Sequence, residues 1–152
     1  MNLDPLRRSD PDFFQFDWSE LLIVAREPGR TYAEDEVVRP DPPVGFYAIC
    51  TTAGMTGHRP PIWPRAAALT IVDGSVVWTM VEPGAVGLPS ISDVVYTITP
   101  TGIQQSNPST TGLRTRVKLD AANAELGTYE ILAEIVSGGE DHSYRATLEV
   151  ID

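Results

Sequence analysis

Between Val94 and Val150 apolar and polar residues alternate in four separate runs, and that period of two is the strongest constraint on what this chain can fold into. Val94, Tyr96 and Ile98 alternate with Val95 and Thr97, and Leu113, Thr115, Val117 and Leu119 with Arg114, Arg116 and Lys118. Tyr129, Ile131, Ala133 and Ile135 alternate with Glu130, Leu132 and Glu134, and Tyr144, Ala146, Leu148 and Val150 with Arg145, Thr147 and Glu149. Successive strand residues point to opposite faces, so each run has one face for a core and one for water, as in antiparallel sheets of a sandwich. Phe14, Phe16 and Trp18 repeat the pattern near the N-terminus, and Ser19 to Val24 continues as a short strand or a turn of helix. With 13 prolines and 12 glycines distributed along the chain, long helices are not expected. The basic face of Arg114, Arg116 and Lys118 would pair with Glu130 and Glu134 if those strands were neighbours.

A second signal lies between Phe46 and Met80. Asp73-Gly74 is a dipeptide suited to a two-residue type I′ hairpin turn, and β-favouring residues flank it. A turn centred there pairs Val72 with Ser75, Ile71 with Val76, Thr70 with Val77 and Leu69 with Trp78. Leu69, Ile71, Val76 and Trp78 then share an apolar face, while Thr70, Ser75, Val77 and Thr79 form the other. A lone hairpin is marginal in water, so the Trp78 face needs a cover, which Phe46, Tyr47, Ile49 and the Ile62-Trp63-Pro64 segment can supply. Glu27 to Gly45 reads as a long irregular connection in which Tyr32 and Val37-Val38 hold short edge pairings.

Composition narrows the function. The formal net charge of −10 opposes the exchange of phosphate counterions that nucleic-acid binding needs, so nucleic acid is not an expected partner. The tightest acidic cluster, Glu34-Asp35-Glu36, is expected to be a solvated loop. One cysteine, Cys50, forms no internal disulfide and no zinc cluster and is expected to be a small buried residue. No apolar run reaches the roughly 20 residues of a membrane span, and MNLDPLRRSD lacks the apolar stretch of a signal peptide, so no membrane partner is expected.

Catalytic residues are scarce, and the chain is not expected to be an enzyme or to hold a cofactor or metal. Asp141-His142-Ser143 has the residue types of a hydrolytic triad, but adjacent strand residues point in alternate directions and cannot form the relay. His58 and His142 lie in no ligand spacing, and Gly54 and Gly57 lack the Lys-Ser/Thr of a phosphate loop. Sugar stacking is the alternative from a different class, with Trp63, Trp78, Phe46 and Tyr47 as candidate rings; the hairpin register makes Trp78 core, and core packing is favoured for Trp63 as well.

Two sets of motifs carry a family resemblance. Thr51-Thr52-Ala53-Gly54 with Thr56-Gly57, Trp63-Pro64 and Asp73-Gly74-Ser75-Val76-Val77-Trp78 resembles a small β module of tailed-bacteriophage structural and receptor-binding proteins, over about a quarter of the chain. Where that module often has a flexible Gly/Ser/Thr stretch, this chain has His58-Arg59-Pro60-Pro61. Asp12-Phe13-Phe14-Gln15-Phe16-Asp17-Trp18-Ser19, together with Gly127-Thr128-Tyr129-Glu130-Ile131 and Tyr144 to Val150, resembles the phage fiber-tail adaptor family. In that family the Asp-Trp-Ser strand is followed almost directly by the remaining sandwich strands; here residues from about Thr31 to Leu88 intervene.

The resemblance and the strand pattern together imply an all-β, immunoglobulin-like or fibronectin-like antiparallel β-sandwich with an inserted small β-hairpin unit. Asn123 to Gly127 leads into Tyr129 much as tight loops enter a late strand of such sandwiches. The expected organisation is an extended arm over residues 1–12, a sandwich of 13–30 plus 91–152, and an insert of 31–90. The implied role is a structural virion protein, assembled in the host bacterial cytoplasm, that connects tail or neck to fiber or spike through contacts with portal, neck, tail or fiber proteins and forms a homo-oligomer in the particle. A capsid decoration protein and a carbohydrate-binding adhesin module are the alternatives. Leu3, Leu6, Arg7, Arg8, Tyr32 and Trp63 are the expected assembly contacts.

Overall fold

A computed structural model describes all residues, 1–152. In chain order the elements are β1 (Leu6–Arg7), β2 (Asp12–Asp17), α1 (Ser19–Leu22), β3 (Thr31–Tyr32), β4 (Val37–Val38), β5 (Tyr47–Thr52), β6 (Gly54–Met55), β7 (Thr70–Asp73), β8 (Val76–Val81), β9 (Ile91–Thr99), β10 (Gln104–Thr111), β11 (Arg114–Asp120), β12 (Gly127–Ser137) and β13 (Glu140–Ile151). The fold is all-β and sandwich-like; its one helix is a single turn. The chain divides into two compact units, Met1–Trp18 with Ser90–Asp152, and Ser19–Pro89.

The first unit has seven strands in two sheets, ordered β1-β13-β12-β9 and β10-β11-β2. Each apolar set found in the sequence faces inward: Phe14, Phe16, Val117, Leu119, Tyr129, Ile131, Ile135, Leu148 and Val150 are all buried. Rings join the layers, with Phe16 at 5.6 Å from Tyr96 and the Trp18 indole edge-on to Tyr144 at 5.7 Å. The Tyr129 hydroxyl donates to the Glu125 carbonyl at 3.0 Å, so the loop entering β12 is fixed as in the tyrosine corner of immunoglobulin-like sandwiches.

Two expectations about this unit change. Residues 1–12 are not a free arm. Leu6 pairs with Val150 in parallel, Leu3 N–H donates to Thr147 O at 2.9 Å, and Arg8 N–H donates to Ile151 O at 3.1 Å. The open edge of β13 needs backbone partners, and the Leu6 side chain is buried against the core, so pairing satisfies both. Second, β11 lies between β10 and β2, so Arg114 faces Asp17 and Arg116 faces Gln15 rather than Glu130 or Glu134. Glu130 is paired instead with Arg145 of β13, at 2.6 Å. A strand that no sequence pattern announces, β10, carries no apolar alternation, and every residue of it is exposed; it forms by pairing with β11, around a register shift between Ser106 and Ser109.

The second unit contains a four-stranded sheet, β4-β5-β8-β7, and the pair β3-β6. Its core is Tyr32, Val38, Ala48, Cys50, Trp63, Val76, Trp78 and Met80. Trp78 is the centre: Tyr32 meets it edge-on at 5.0 Å and Trp63 packs at 6.2 Å. The unit starts at Ser19 rather than at residue 31, because Ala25 bridges Arg39 and the Arg26 side chain runs into this core. The expected connection from Glu27 to Gly45 holds β3 and β4 at the anticipated Tyr32 and Val37-Val38.

The hairpin turn is displaced by one residue. Asp73 pairs with Val76, Val72 with Val77, Ile71 with Trp78 and Thr70 with Thr79, so Gly74-Ser75 is the loop. Gly74 has φ 65°, the positive value that a type II′ turn requires at its first central position. Pairing moves by two residues, which preserves which side chains share a face. Ile71, Val76 and Trp78 therefore still point inward, but Leu69 is half-exposed and Asp73 takes an inward place.

Candidate interaction surfaces

The motif residues of the second unit converge on Asp73. Its carboxylate accepts from Arg26 Nε and Nη2, both at 2.8 Å, from Gly57 N–H at 2.9 Å and from Trp78 Nε1 at 3.2 Å. The Arg26 and Asp73 side chains are 4% and 1% exposed, so this is a buried two-point ion pair. Arg26 Nη2 also donates to the Gly57 and Arg59 carbonyls. Burial alone would raise the Asp73 carboxyl, but the hydrogen bonds from Arg26, Trp78 and Gly57 and the Arg26 charge hold it below the usual carboxylate range.

Glycines allow the chain segments to meet there. The segment Met55 to Gly57 crosses the hairpin tip: Ser75 N–H donates to Met55 O at 3.0 Å, and Met55 N–H donates to Ser75 Oγ at 2.8 Å. A Cβ on Gly74 would stand 2.7 Å from Gly57 N, and one on Gly54 would stand 2.7 Å from the Ser75 carbonyl carbon. Thr56 closes the other side, donating to Glu27 O at 2.7 Å and accepting from Arg30 N–H at 3.0 Å. The Thr-Gly and Asp-Gly-Ser pieces of the motif thus belong to one interlock. Sequence reasoning missed Arg26 because its partner is 47 residues away and a lone arginine has no local signature.

The expected contact residues separate into two groups. Arg7 and Arg8 are exposed, Arg7 donating to Asp152 O at 3.3 Å and Arg8 lying 3.7 Å from the Asp152 carboxylate; Leu3 is half-buried. Leu6, Tyr32 and Trp63 are buried in their own units and have no surface to offer a partner, because each fills its core. The candidate triad is dispersed: Asp141 and Ser143 lie outward on β13, while His142 lies between them on the other face. Among all residues no three His, Cys, Asp or Glu form a metal-holding group. Cys50 is buried, and desolvation raises its thiol. All three tryptophans are buried, and Phe46 and Tyr47 are half-buried.

Large apolar side chains are exposed mainly in the second unit. Seven of eleven such residues fall there: Leu21, Val24, Met55, Ile62, Leu69, Val72 and Val86, with Ile62 and Val86 almost wholly exposed at 93% and 99%. Leu69 immediately precedes the edge strand β7 and Val72 lies on it, and the outer edge of β7 has no partner strand. No protein family, curated protein or solved structure matches the chain.

Proposed function

We propose that this is a structural virion protein of a tailed phage that connects tail or neck to a fiber or spike and acts only through protein–protein contacts. The observation that carries the reading is the division of labour in the second unit, where the phage-like motif is spent on an internal lock while large apolar residues, Ile62 and Val86 foremost, stand in solvent. Exposed apolar patches, rather than single residues, mark interaction surfaces, and the reading is supported by the concentration of seven large exposed apolar side chains in this unit, with Leu69 and Val72 at the open edge strand β7. Burial of Trp18, Trp63 and Trp78 favours assembly over glycan binding, since no tryptophan face is open to a sugar.

Removal of residues 1–12 is a poor probe of this role, because it strips Leu6 and β1 from β13 and damages the fold itself. Ile62→Asp with Val86→Asp is the suitable variant. The test is incorporation of the labelled chain into particles, followed by subnanometre imaging. Label at the tail or neck, lost in the double variant, is expected; label over capsid faces would replace the connector reading with decoration. Complete absence from particles would remove both.

A further inference from the structure

The two outer faces of the sandwich carry opposite charge. On the β10-β11-β2 sheet the outward residues of β11 are Arg114, Arg116 and Lys118, followed by Asp120, and they stand beside Phe13, Gln15 and Asp17 of β2. On their other side are the uncharged Ser106, Ser109 and Thr111 of β10. Arg114 is held by Asp17 at 3.1 Å, while the Arg116 guanidinium lies 3.8 Å and the Lys118 ammonium 5.9 Å from the centre of the half-exposed Phe13 ring. The Arg116 guanidinium thus stacks on Phe13 and is exposed, while Lys118 is half-buried at the edge of the same ring's reach.

The opposite sheet places Glu130 and Glu134 of β12, Asp141 and Glu149 of β13 and Asp93 of β9 on its outer face. Against these stand Arg145, already paired with Glu130, and Arg7 at the β1 edge. One sandwich therefore carries a basic patch with an apolar centre on one layer and a carboxylate-rich face on the other. In a chain of net charge −10 the basic sheet face is the exception, and the surface complementary to it is present on every copy.

We propose that copies of this chain associate head to tail, the Arg114-Arg116-Lys118 face of one seated on the Glu130-Glu134-Glu149 face of the next. Such an interface is heterologous, so it propagates into rings or filaments instead of stopping at a two-fold dimer. This deepens the assembly reading and rests on it for its biological purpose, but the test needs only the purified chain. Loss of the interface would leave contacts with other virion proteins untouched, whereas loss of the assembly reading would leave self-association standing.

Each exposed pair is worth about 0.2 to 1 kcal/mol and is screened by salt, so association is expected to be weak and strongest at low ionic strength. Sedimentation of the wild-type chain over a range of concentrations should reveal species larger than dimers at low salt that dissociate as salt is added. Arg114→Glu/Arg116→Glu/Lys118→Glu and, separately, Glu130→Lys/Glu134→Lys/Glu149→Lys should each weaken association at least about tenfold. Mixing the two variants should restore it, because one then presents only acidic faces and the other only basic ones. Should a charge reversal unfold the chain, Arg116→Gln/Lys118→Gln gives the same weakening without reversal. A wild-type chain that stays monomeric at low salt, a closed two-fold dimer, or variants that fail to recover on mixing would each overturn the proposal.

Discussion

Residues 1–18 with 90–152 join two sheets through apolar side chains on strands of up to twelve residues, whereas residues 19–89 use strands of two to six residues and enclose a charged pair. The difference follows from what each sequence can bury. Long alternating strands supply a continuous apolar layer, and the polar contacts there are peripheral or neutral, such as Trp18 Nε1 donating to Thr115 Oγ1 at 3.0 Å. Short strands supply less, and the second unit instead ties Arg26, Gly57 and Trp78 to one carboxylate, gaining a defined arrangement of loops from groups that are costly to bury and more costly to separate. In one unit the period of two specifies the fold; in the other a single convergence point does.

The comparison breaks most visibly at Asp73. Asp73→Ala leaves a buried arginine charge and the Trp78 and Gly57 N–H groups without an acceptor, and is expected to cost about 3 to 5 kcal/mol in denaturant unfolding. Hydrogen exchange should assign the first losses to residues 19–89. Acid titration sharpens the same point. A carboxyl whose folded pKa lies below its unfolded value contributes stability that is complete above the unfolded value and is lost as pH falls through the folded one. The stability advantage of the wild type over Asp73→Asn should therefore be constant near neutrality, shrink below about pH 4 and disappear in stronger acid.

Two glycine substitutions come next in size. Gly74→Ala meets both a positive φ and the crossing Met55–Gly57 backbone, and should destabilise by at least about 2 kcal/mol. Gly138→Ala, at φ 59° in the β12–β13 turn with open space around it, pays for its conformation alone, about 1 kcal/mol. Equal effects would mean that the close crossing in the second unit does not constrain it. Thr115→Val, which leaves the buried Trp18 N–H unpaired, falls between the two glycine substitutions at a cost of about 1 to 2 kcal/mol, measured by the same unfolding transition.

The first unit was largely legible in the sequence because its information is local. Val94–Ile98, Leu113–Leu119, Tyr129–Ile135, Tyr144–Val150 and Phe14–Trp18 announce themselves by alternation, and the structure places them in its two sheets, with Leu113 directly before β11 and Trp18 directly after β2. What escaped has no alternation to read: β10 is a polar run held by its partner, and β1 is recognisable only through Val150, far along the chain. In the second unit the pairing of hydrophobic faces was legible, but the exact turn was not, because Asp73 has two competing uses. A local reading assigns it to the turn, whereas the fold turns its carboxylate inward to Arg26. Tyr32 and Trp63, expected as assembly contacts, lie in the core of the second unit.

The most direct test of the contrast is a pair of double-mutant cycles by denaturant unfolding, one on Arg26 and Asp73 and one on Arg114 and Asp17. Both are arginine–carboxylate pairs, at 2.8 Å and 3.1 Å, but only the first is buried. A coupling of about 2 kcal/mol or more is expected for Arg26–Asp73, against less than about 1 kcal/mol for Arg114–Asp17. Equal couplings in the two cycles would contradict the view that the second unit is organised around its buried ion pair.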